Sequence, residues 1–277
     1  MAQLVYVSSD EADPWPVNCP TTLEDICVTY FVKNIFIFLE RTDDSYRLKP
    51  GISFPQGLSD KIMYKLVETS NWLNTSSNNV FGIFNNRATT SLTELSLRYT
   101  AVKTEHLEFL CLHPIRKLDI SYCPQIKSKF IDAINQAGRT LQCLNMGGSD
   151  EIERLDYLLH EDEHEDFPGD RGDGRRDLTR HSLNLPHLRS LSLREFQGFK
   201  NMDGEPTSGH KVIEHVIAPL RNLTHLDLYK CGLRLGASFV IEVGNLDLPH
   251  LVSLSLCDCL NGSEHALENL MKLKNLR

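Results

Sequence analysis

One apolar pattern recurs six times in this chain and constrains its fold more than any other feature. The pattern is Leu-x-x-Leu-x-Leu, with Ile or Met at some of its fixed positions, and its copies begin at Leu92, Ile115, Leu141, Leu188, Leu223 and Leu251. Successive copies are separated by 23, 26, 47, 35 and 28 residues. Most of these steps lie at or near the 20–29 residues of a leucine-rich repeat. The pattern therefore predicts about six such repeats, with an insertion in the longest step.

Each repeat is predicted to hold a strand followed by a helix. Helical patterns lie between the strands, at residues 105–111, 129–137, 211–220, 237–243 and 264–273. Cysteines follow three of the strands at the position where such repeats use Asn or Cys to satisfy turn backbone groups, namely Cys123, Cys231 and Cys259. Units of this kind stack into an α/β leucine-rich-repeat solenoid whose strands line the concave side.

The strands also predict a surface for a protein partner. Because side chains alternate along a strand, the residues between the buried aliphatic positions face outward. The candidate partner face on the concave side is mixed and polar, and comprises Arg98, Lys117, Asp119, Asn145, Arg194, His225, Asp227 and Tyr229. Such a surface suits a protein or peptide substrate. The alternative is a solvated face that binds nothing.

A helix with two apolar stripes is predicted upstream of the repeats. Thr21 to Glu24 has the form of a capping box, in which Thr21 caps the helix and Glu24 reaches back to it. One stripe at helical spacing comprises Leu23, Ile26, Cys27, Tyr30, Phe31, Ile35 and Phe38, and a second comprises Val28, Val32, Ile35 and Leu39. Since one stripe is enough to pack a helix onto its own domain, two stripes indicate a second contact. The alternative is a helix buried on all sides of a small bundle.

Two short motifs in this region carry a resemblance to a known family. Thr22-Leu23-x-x-x-Cys27 is similar to the Elongin-binding box, and Phe54-Pro55-x-x-Leu58 resembles the Cullin-2-selecting segment that follows such a box. In this order, ahead of leucine-rich repeats, they resemble the N-terminal portion of the Zyg/Zer family of Cullin-2 ubiquitin ligase substrate receptors. The resemblance covers roughly residues 20–277.

This resemblance implies a small VHL-box-like helical domain in front of the repeats, and assigns contacts to it. Elongin C, which acts together with Elongin B, would be bound by Leu23, Ile26, Cys27 and Phe31. Cullin-2 would be bound by Phe54, Pro55, Leu58 and Ile62. The repeats would hold protein substrates for ubiquitination, while catalysis would lie on other subunits of the ligase.

Two other interpretations of the same residues remain open. Phe54-Pro55-Gln56-Gly57-Leu58 also resembles the start of an F-box, which would make the chain a leucine-rich-repeat receptor of a Skp/Cullin-1 ligase. The upstream motif at Leu23 and Cys27 argues against this, because an F-box needs nothing before it. The other alternative is a repeat scaffold or inhibitor unconnected to any ligase.

The predicted domain order is a flexible arm at residues 1–20, a helical docking domain at 21–88 and repeats at 89–277. Within the docking domain, residues 41–53 are expected to be a polar connection. Residues near 160–180 are charged and glycine-rich and are expected to be disordered. Family members continue into an armadillo-like domain that captures an N-terminal glycine, so we expect this chain to be truncated. Leu267, Leu270, Leu273 and Leu276 would then lie uncovered at an open edge.

Composition narrows the functional class. The 277 residues carry a formal net charge of −8, which is the wrong sign for nucleic-acid binding, and hold no apolar run as long as a membrane span. The eight cysteines do not form a disulfide framework, so we expect an intracellular protein of the cytoplasm, the nucleus or both. No metal-ligand set, phosphate-binding loop or nucleophile motif occurs. We therefore expect no cofactor, no metal and no catalytic residue.

Overall fold

A computed structural model describes residues 22–42, 45–69, 80–126, 130–148, 185–196, 213–230, 237–256 and 268–277. Its architecture is mixed α/β, with an N-terminal helical region, a two-stranded antiparallel sheet and a six-stranded parallel sheet. The predicted arm at residues 1–20 and the insertion near 160–180 lie outside the described residues.

The N-cap of the first helix, α1 (Leu23–Lys33), lies one residue later than predicted. Thr22, not Thr21, is its N-cap, and Asp25 completes the capping box in place of Glu24. The Asp25 backbone N–H donates to Thr22 Oγ1 over 3.1 Å, and the Thr22 N–H donates to Asp25 Oδ2 over 3.0 Å. The shorter Asp carboxylate therefore serves where a Glu was expected.

A short helix and a hairpin follow, where part of the sequence was expected to be a plain polar connection. Helix α2 (Ile35–Phe38) leads into β1 (Leu39–Arg41), which pairs antiparallel with β2 (Tyr46–Leu48). The pairing is anchored by Leu39 opposite Leu48, and both side chains are buried. The expectation of a polar connection throughout residues 41–53 was wrong, because Leu48 is buried in the core and Tyr46 and Ile52 pack partly against it.

Helix α3 (Gln56–Thr69) packs against α1 with the predicted apolar stripe. Ile62, Met63 and Leu66 are buried, and Leu58 and Val67 are partly buried against the same core. Pro55 lies just before the helix, where its carbonyl accepts from the N–H groups of Leu58 and Ser59. A 3-10 helix at Val80–Phe84 is buried along its whole length and joins this region to the parallel sheet.

The parallel sheet contains one strand from each of the six sequence patterns, in chain order. The strands are β3 (Glu94–Ser96), β4 (Lys117–Asp119), β5 (Cys143–Asn145), β6 (Ser190–Ser192), β7 (His225–Asp227) and β8 (Ser253–Ser255). Their central leucines pair in one unbroken row, from Leu95 to Leu254. The flanking residues of every strand point to the other face.

Helices of several kinds connect the strands. Thr104–Leu112 and Ile213–Ile217 are a 3-10 and a π helix, whereas α4 (Phe130–Ala137) and α5 (Ala237–Asn245) are α-helices. After β4, the buried Cys123 thiol donates to the Leu97 carbonyl over 2.9 Å, which is the turn role predicted for it. Cys231 and Cys259 lie outside the described residues.

Asp60 of α3 caps the first edge of the parallel sheet. Before each later strand, two successive N–H groups share one carbonyl of the preceding unit; for example, Arg116 and Lys117 both donate to Thr93. Thr93 and Glu94 have no preceding unit, and their N–H groups donate instead to Asp60 Oδ1 over 2.8 and 3.2 Å. The carboxylate oxygen thus takes the place of a backbone carbonyl and covers an edge that would attract other strands.

The last described residues are better covered than expected. Leu273 is buried, and Leu270 and Leu276 are partly buried against the core. The expectation that all of these leucines lie uncovered was wrong, because residues 268–277 fold back onto the unit of β8. The Arg277 N–H donates to Val252 over 2.9 Å, extending the same ladder. Leu267 lies outside the described residues.

Candidate functional site

Helix α1 buries the second of its two apolar stripes and exposes the N-terminal part of the first. Val28, Val32 and Ile35 are buried. Leu23 is 77% exposed, Ile26 53% and Tyr30 60%, and Cys27 is also exposed. Apolar side chains of this size are normally covered when they lie together on one helix face. We call these four residues the α1 docking face.

Phe31, which the sequence assigned to the same face, is buried at the border of that face. It is only 7% exposed, and its ring lies 4.8 Å from that of Phe38 and 4.9 Å from that of Phe54. The motif spacing placed Phe31 one turn after Cys27, but its large ring is used to join α1 to the start of α3. Tyr30 takes the exposed position, and the helical period alone would have favoured either residue.

The candidate Cullin-binding residues are exposed to very different degrees. Pro55 is exposed, Phe54 and Leu58 are partly buried, and Ile62 is buried in the core between α1 and α3. Ile62 therefore supports the helix from inside and is not accessible to a partner. The surface that remains near this motif is the first turn of α3 with Pro55 before it.

Charged residues hold α1 against α3 beside the docking face. Lys61 Nζ lies 2.6 Å from Glu24 Oε2 and 3.7 Å from Asp25 Oδ1. Its hydrogen bond to Glu24 raises the pKa of Lys61, and the hydrogen bonds from Thr22 lower the pKa of Asp25. These pairs are half exposed, so they orient the two helices and add little stability.

The candidate partner face of the sheet contains several residues that serve the backbone. Asp119 Oδ1 accepts from the Ser121 N–H, Asn145 from Gly147 and Asp227 from Tyr229, each closing the turn after its strand. Lys117 Nζ lies 2.8 Å from Glu94 Oε1, and this hydrogen bond raises its pKa. His225 is exposed and bonded through Nδ1 to the Thr224 hydroxyl.

Arg98, Arg194 and Tyr229 lie beyond the strands, at the turns along the carboxyl edge of the sheet. The Arg194 guanidinium lies 4.4 Å from the centre of the Tyr229 ring, and that of Arg98 lies 4.8 Å from the Tyr99 ring. Sequence reasoning missed Tyr99 and Tyr122, whose rings stack at 4.7 Å. Their shared position, four residues after the central leucine of each strand, was the signal that would have found them.

Metal binding and membrane insertion receive no support from the part of the chain that the structure describes. No group of three or more His, Cys, Asp or Glu side chains is placed there to hold a metal ion. No helix within the described ranges combines the length and the apolar character needed to cross a membrane.

The sequence of this chain is similar to that of a curated protein. The chain is 28% identical over 241 residues to the Protein zer-1 homolog of Drosophila melanogaster, an alignment that takes in 86% of this chain and 26% of that protein. It thus spans about a quarter of the length of the curated relative that it matches. No protein-family model matches the chain. Among solved structures, the crystal structure of the Rad7 and Elc1 complex in yeast aligns with 92% of this chain and 85% of that one, at 15% identity and a TM-score of 0.26.

Proposed function

We propose that this chain is a substrate-recognition subunit of a Cullin-2–Elongin B/C RING ubiquitin ligase, which directs target proteins to ubiquitination and proteasomal degradation. The observation that carries the proposal is the α1 docking face, which leaves Leu23 and Cys27 of the Elongin-binding motif exposed together. The sequence similarity to a zer-1 homolog supports it, since the motifs resemble those of the Zyg/Zer family.

In this proposal Elongin C covers Leu23, Ile26, Cys27 and Tyr30. Burying a side chain the size of Leu or Ile contributes about 1.5–3 kcal/mol, so the four together supply an apolar centre for an interface. Phe31 is removed from the contact set, because it is buried inside the chain. Its role is to fix the angle of α1 by packing on Phe54.

Cullin-2 would contact the exposed start of α3. Pro55 is the exposed member of the motif, with Phe54 and Leu58 partly accessible beside it. Ile62 acts through the core, by holding α3 in place. The salt bridge between Lys61 and Glu24 would keep the Elongin and Cullin contact surfaces in a fixed relation.

The rest of the chain would present the substrate. We propose that residues 21–88 form the docking domain and residues 89–277 a leucine-rich-repeat solenoid, whose parallel sheet faces the bound protein. Ubiquitin transfer would take place on other subunits, and this chain would contribute proximity without catalysis. Such a receptor works inside the cell, in the cytoplasm, the nucleus or both.

The α1 docking face is tested by a matched pair of substitutions. Ile26→Ser lies within the face and Ile37→Ser lies on α2, and the two isoleucines are 53% and 60% exposed. We expect Ile26→Ser, and the double change Leu23→Ser with Cys27→Ser, to reduce binding of purified Elongin B/C at least tenfold. Ile37→Ser should bind as the unaltered chain does. The measurement is calorimetric titration, with melting temperatures to show that each variant is folded.

The same assay separates the alternatives. Undiminished Elongin binding by the double variant would refute the assignment of the docking face. Binding of a Skp-type adaptor in place of Elongin B/C would favour the F-box interpretation. Failure to bind either adaptor would leave a scaffold or inhibitor.

A further inference from the structure

Five turns along the carboxyl edge of the parallel sheet share one unusual backbone conformation. The residue four positions after each central leucine has a positive φ, with values of 61° at Tyr99, 55° at Tyr122, 60° at Gly148, 57° at Glu195 and 53° at Lys230. Four of these residues donate their N–H to the next turn, over 2.7–3.1 Å. The conformation is therefore required by the ladder that joins neighbouring units.

The side chains at this position are not the ones that the turn itself favours. A left-handed backbone is adopted most easily by Gly and, among other residues, by Asn and Asp. Tyrosine at two consecutive units costs stability, and the Tyr99 side chain is in addition 67% exposed. Because backbone strain of this kind concentrates at functional sites, the two rings call for a role beyond the turn.

The rings are held rigidly by their neighbours. The Tyr122 ring lies directly over Gly148, where a Cβ atom would come within 2.2 Å of it, so this turn must lack a side chain. The Tyr122 hydroxyl donates to Glu195 Oε2 over 2.8 Å, and Tyr99 stacks on Tyr122 with 19° between the ring planes. Burial and this hydrogen bond raise the pKa of Tyr122 to about 12, so its hydroxyl keeps its proton at neutral pH.

Positively charged side chains lie at both ends of this row of turns. The Arg98 guanidinium lies 4.8 Å from the Tyr99 ring centre and 5.7 Å from that of Tyr122. At the other end, Arg194 and Lys230 lie 4.4 and 5.2 Å from the Tyr229 ring centre. The nearby Glu195 carboxylate is occupied by Tyr122. We call Arg98, Tyr99, Tyr122, Arg194, Tyr229 and Lys230 the turn-edge shelf.

The spacing of the shelf sets the spacing of its ligand. Arg98 and Arg194 follow β3 and β6, which are three strand steps apart, or about 14 Å at about 4.8 Å per step. An extended peptide covers that distance in roughly four residues. The stacked tyrosines lie beside Arg98 and offer a flat face to a ring on the same ligand.

We infer that the turn-edge shelf binds an extended acidic peptide segment, with two carboxylate side chains about four residues apart and an aromatic or proline ring between them. This inference rests on the proposed function only for the origin of the peptide. On that function, the segment belongs to the protein substrate. A nucleic acid fits less well, because it carries a phosphate at every nucleotide. Those phosphates would meet the carboxylates of Asp119, Asp227 and Glu195 next to the shelf.

A random dodecapeptide library displayed on phage tests the inference on the 277-residue chain. Selection on the unaltered chain should enrich peptides that carry two acidic residues at positions i and i+4, at least threefold over the starting library. The affinity of a synthetic consensus peptide should fall at least tenfold for Arg98→Gln with Arg194→Gln. Arg116→Gln is the matched control, since this exposed arginine precedes β4 at the opposite edge of the sheet.

Tyr99→Asn separates a binding role from a structural one. Asn tolerates the left-handed backbone, so this variant should melt at or above the temperature of the unaltered chain and yet bind the consensus peptide at least fivefold more weakly. Three results would overturn the inference. The selection could fail to enrich acidic peptides, the double variant could bind the consensus peptide as tightly as the unaltered chain, or the chain could bind a ten-nucleotide oligothymidylate in place of peptides.

The docking assignment is tested separately by the same selection. Ile26→Ser should select the same peptides as the unaltered chain, because it lies on α1, away from the sheet. Acidic enrichment without Elongin binding would refute only the proposed ligase role, and Elongin binding without enrichment would refute only the shelf.

Discussion

Asp60 connects two parts of the molecule through one side chain. Its carboxylate accepts from two backbone N–H groups of the first strand unit, and its Oδ2 accepts from the Thr93 hydroxyl over 2.7 Å. It lies in α3, so one side chain both ends the parallel sheet and attaches the helical region to it. A carboxylate placed like this takes the place of a preceding strand's backbone carbonyl.

Asp60→Ala should therefore destabilise the chain by about 2–4 kcal/mol, since hydrogen bonds to a charged group contribute about 1.5–3 kcal/mol each and their loss leaves partly buried donors unpaired. Asp60→Asn keeps a carbonyl oxygen for the two N–H groups and should lose less than half as much. Urea unfolding measures both. An alanine variant as stable as the unaltered chain would show that water replaces the carboxylate without loss.

His113 is a buried polar residue with both ring nitrogens engaged. Nδ1 accepts from the Leu92 N–H over 3.3 Å, and Nε2 donates to the Phe84 carbonyl over 2.7 Å. This pairing requires a neutral ring with its proton on Nε2. Burial lowers the pKa of His113, and the charge of Arg87 acts in the same direction.

Stability should accordingly fall as the solution is acidified. Because the folded-state pKa lies below the unfolded value of about 6.5, the unfolded chain takes up the proton first. The contribution of His113 is complete above about pH 6.5 and declines as the pH falls below that value. His113→Gln should show a smaller loss of unfolding free energy between pH 7.5 and 5.5. An identical pH dependence in both proteins would contradict this account.

At the scale of elements, the sequence predicted the strands well and the connections less well. Each Leu-x-x-Leu-x-Leu pattern yields a three-residue strand around its central leucine, because only one strand register buries that leucine and exposes its two neighbours. The type of the connecting helix did not follow from the pattern: Thr104–Leu112 is 3-10 and Ile213–Ile217 is π. Short connections take the geometry that spans the gap, and helix propensity has little influence on them.

The exposure of the candidate site residues followed from the sequence where motif and period agreed. Leu23, Ile26 and Cys27 are exposed, whereas Phe31 and Ile62 are buried, and binding of Elongin C by the exposed residues stays a prediction. Both errors have one cause, since a short motif does not distinguish a residue that contacts a partner from one that holds the helix in place. The shelf tyrosines lie outside the Leu-x-x-Leu-x-Leu pattern. Their shared position four residues after the central leucine was the available signal, and the pairing of the strands brings Tyr99 beside Tyr122.

At the scale of the whole molecule, the sheet maintains its register across very different connection lengths. Leu144 of β5 pairs directly with Leu191 of β6, although their patterns are separated by the longest step in the chain. Closing a longer loop costs only about 0.6 kcal/mol per doubling of its length. We therefore expect that the residues inserted there are not needed to position either strand.

Replacing residues 161–177 with a short Gly-Ser linker should therefore leave the melting temperature within about 2 °C of the unaltered chain, since a shift of that size in a domain of 150–250 residues corresponds to less than about 1 kcal/mol. Calorimetry on both proteins provides the comparison. A fall of more than about 5 °C would mean that the segment packs against the sheet, and the proposed disorder of this insertion would be withdrawn.

The strict chain order of the parallel sheet also determines how the protein responds to force. Among the strands that the structure describes, each one from β3 to β8 is bonded only to the strands before and after it in sequence. In a parallel sheet the backbone hydrogen bonds cross between the strands at a slant, so tension applied from one edge of the sheet to the other stretches these bonds. The five strand interfaces are then in series and carry the same load, and the weakest yields first. On the proposed function, a chain held at its helical end and pulled through its bound protein would lengthen in steps, one unit at a time.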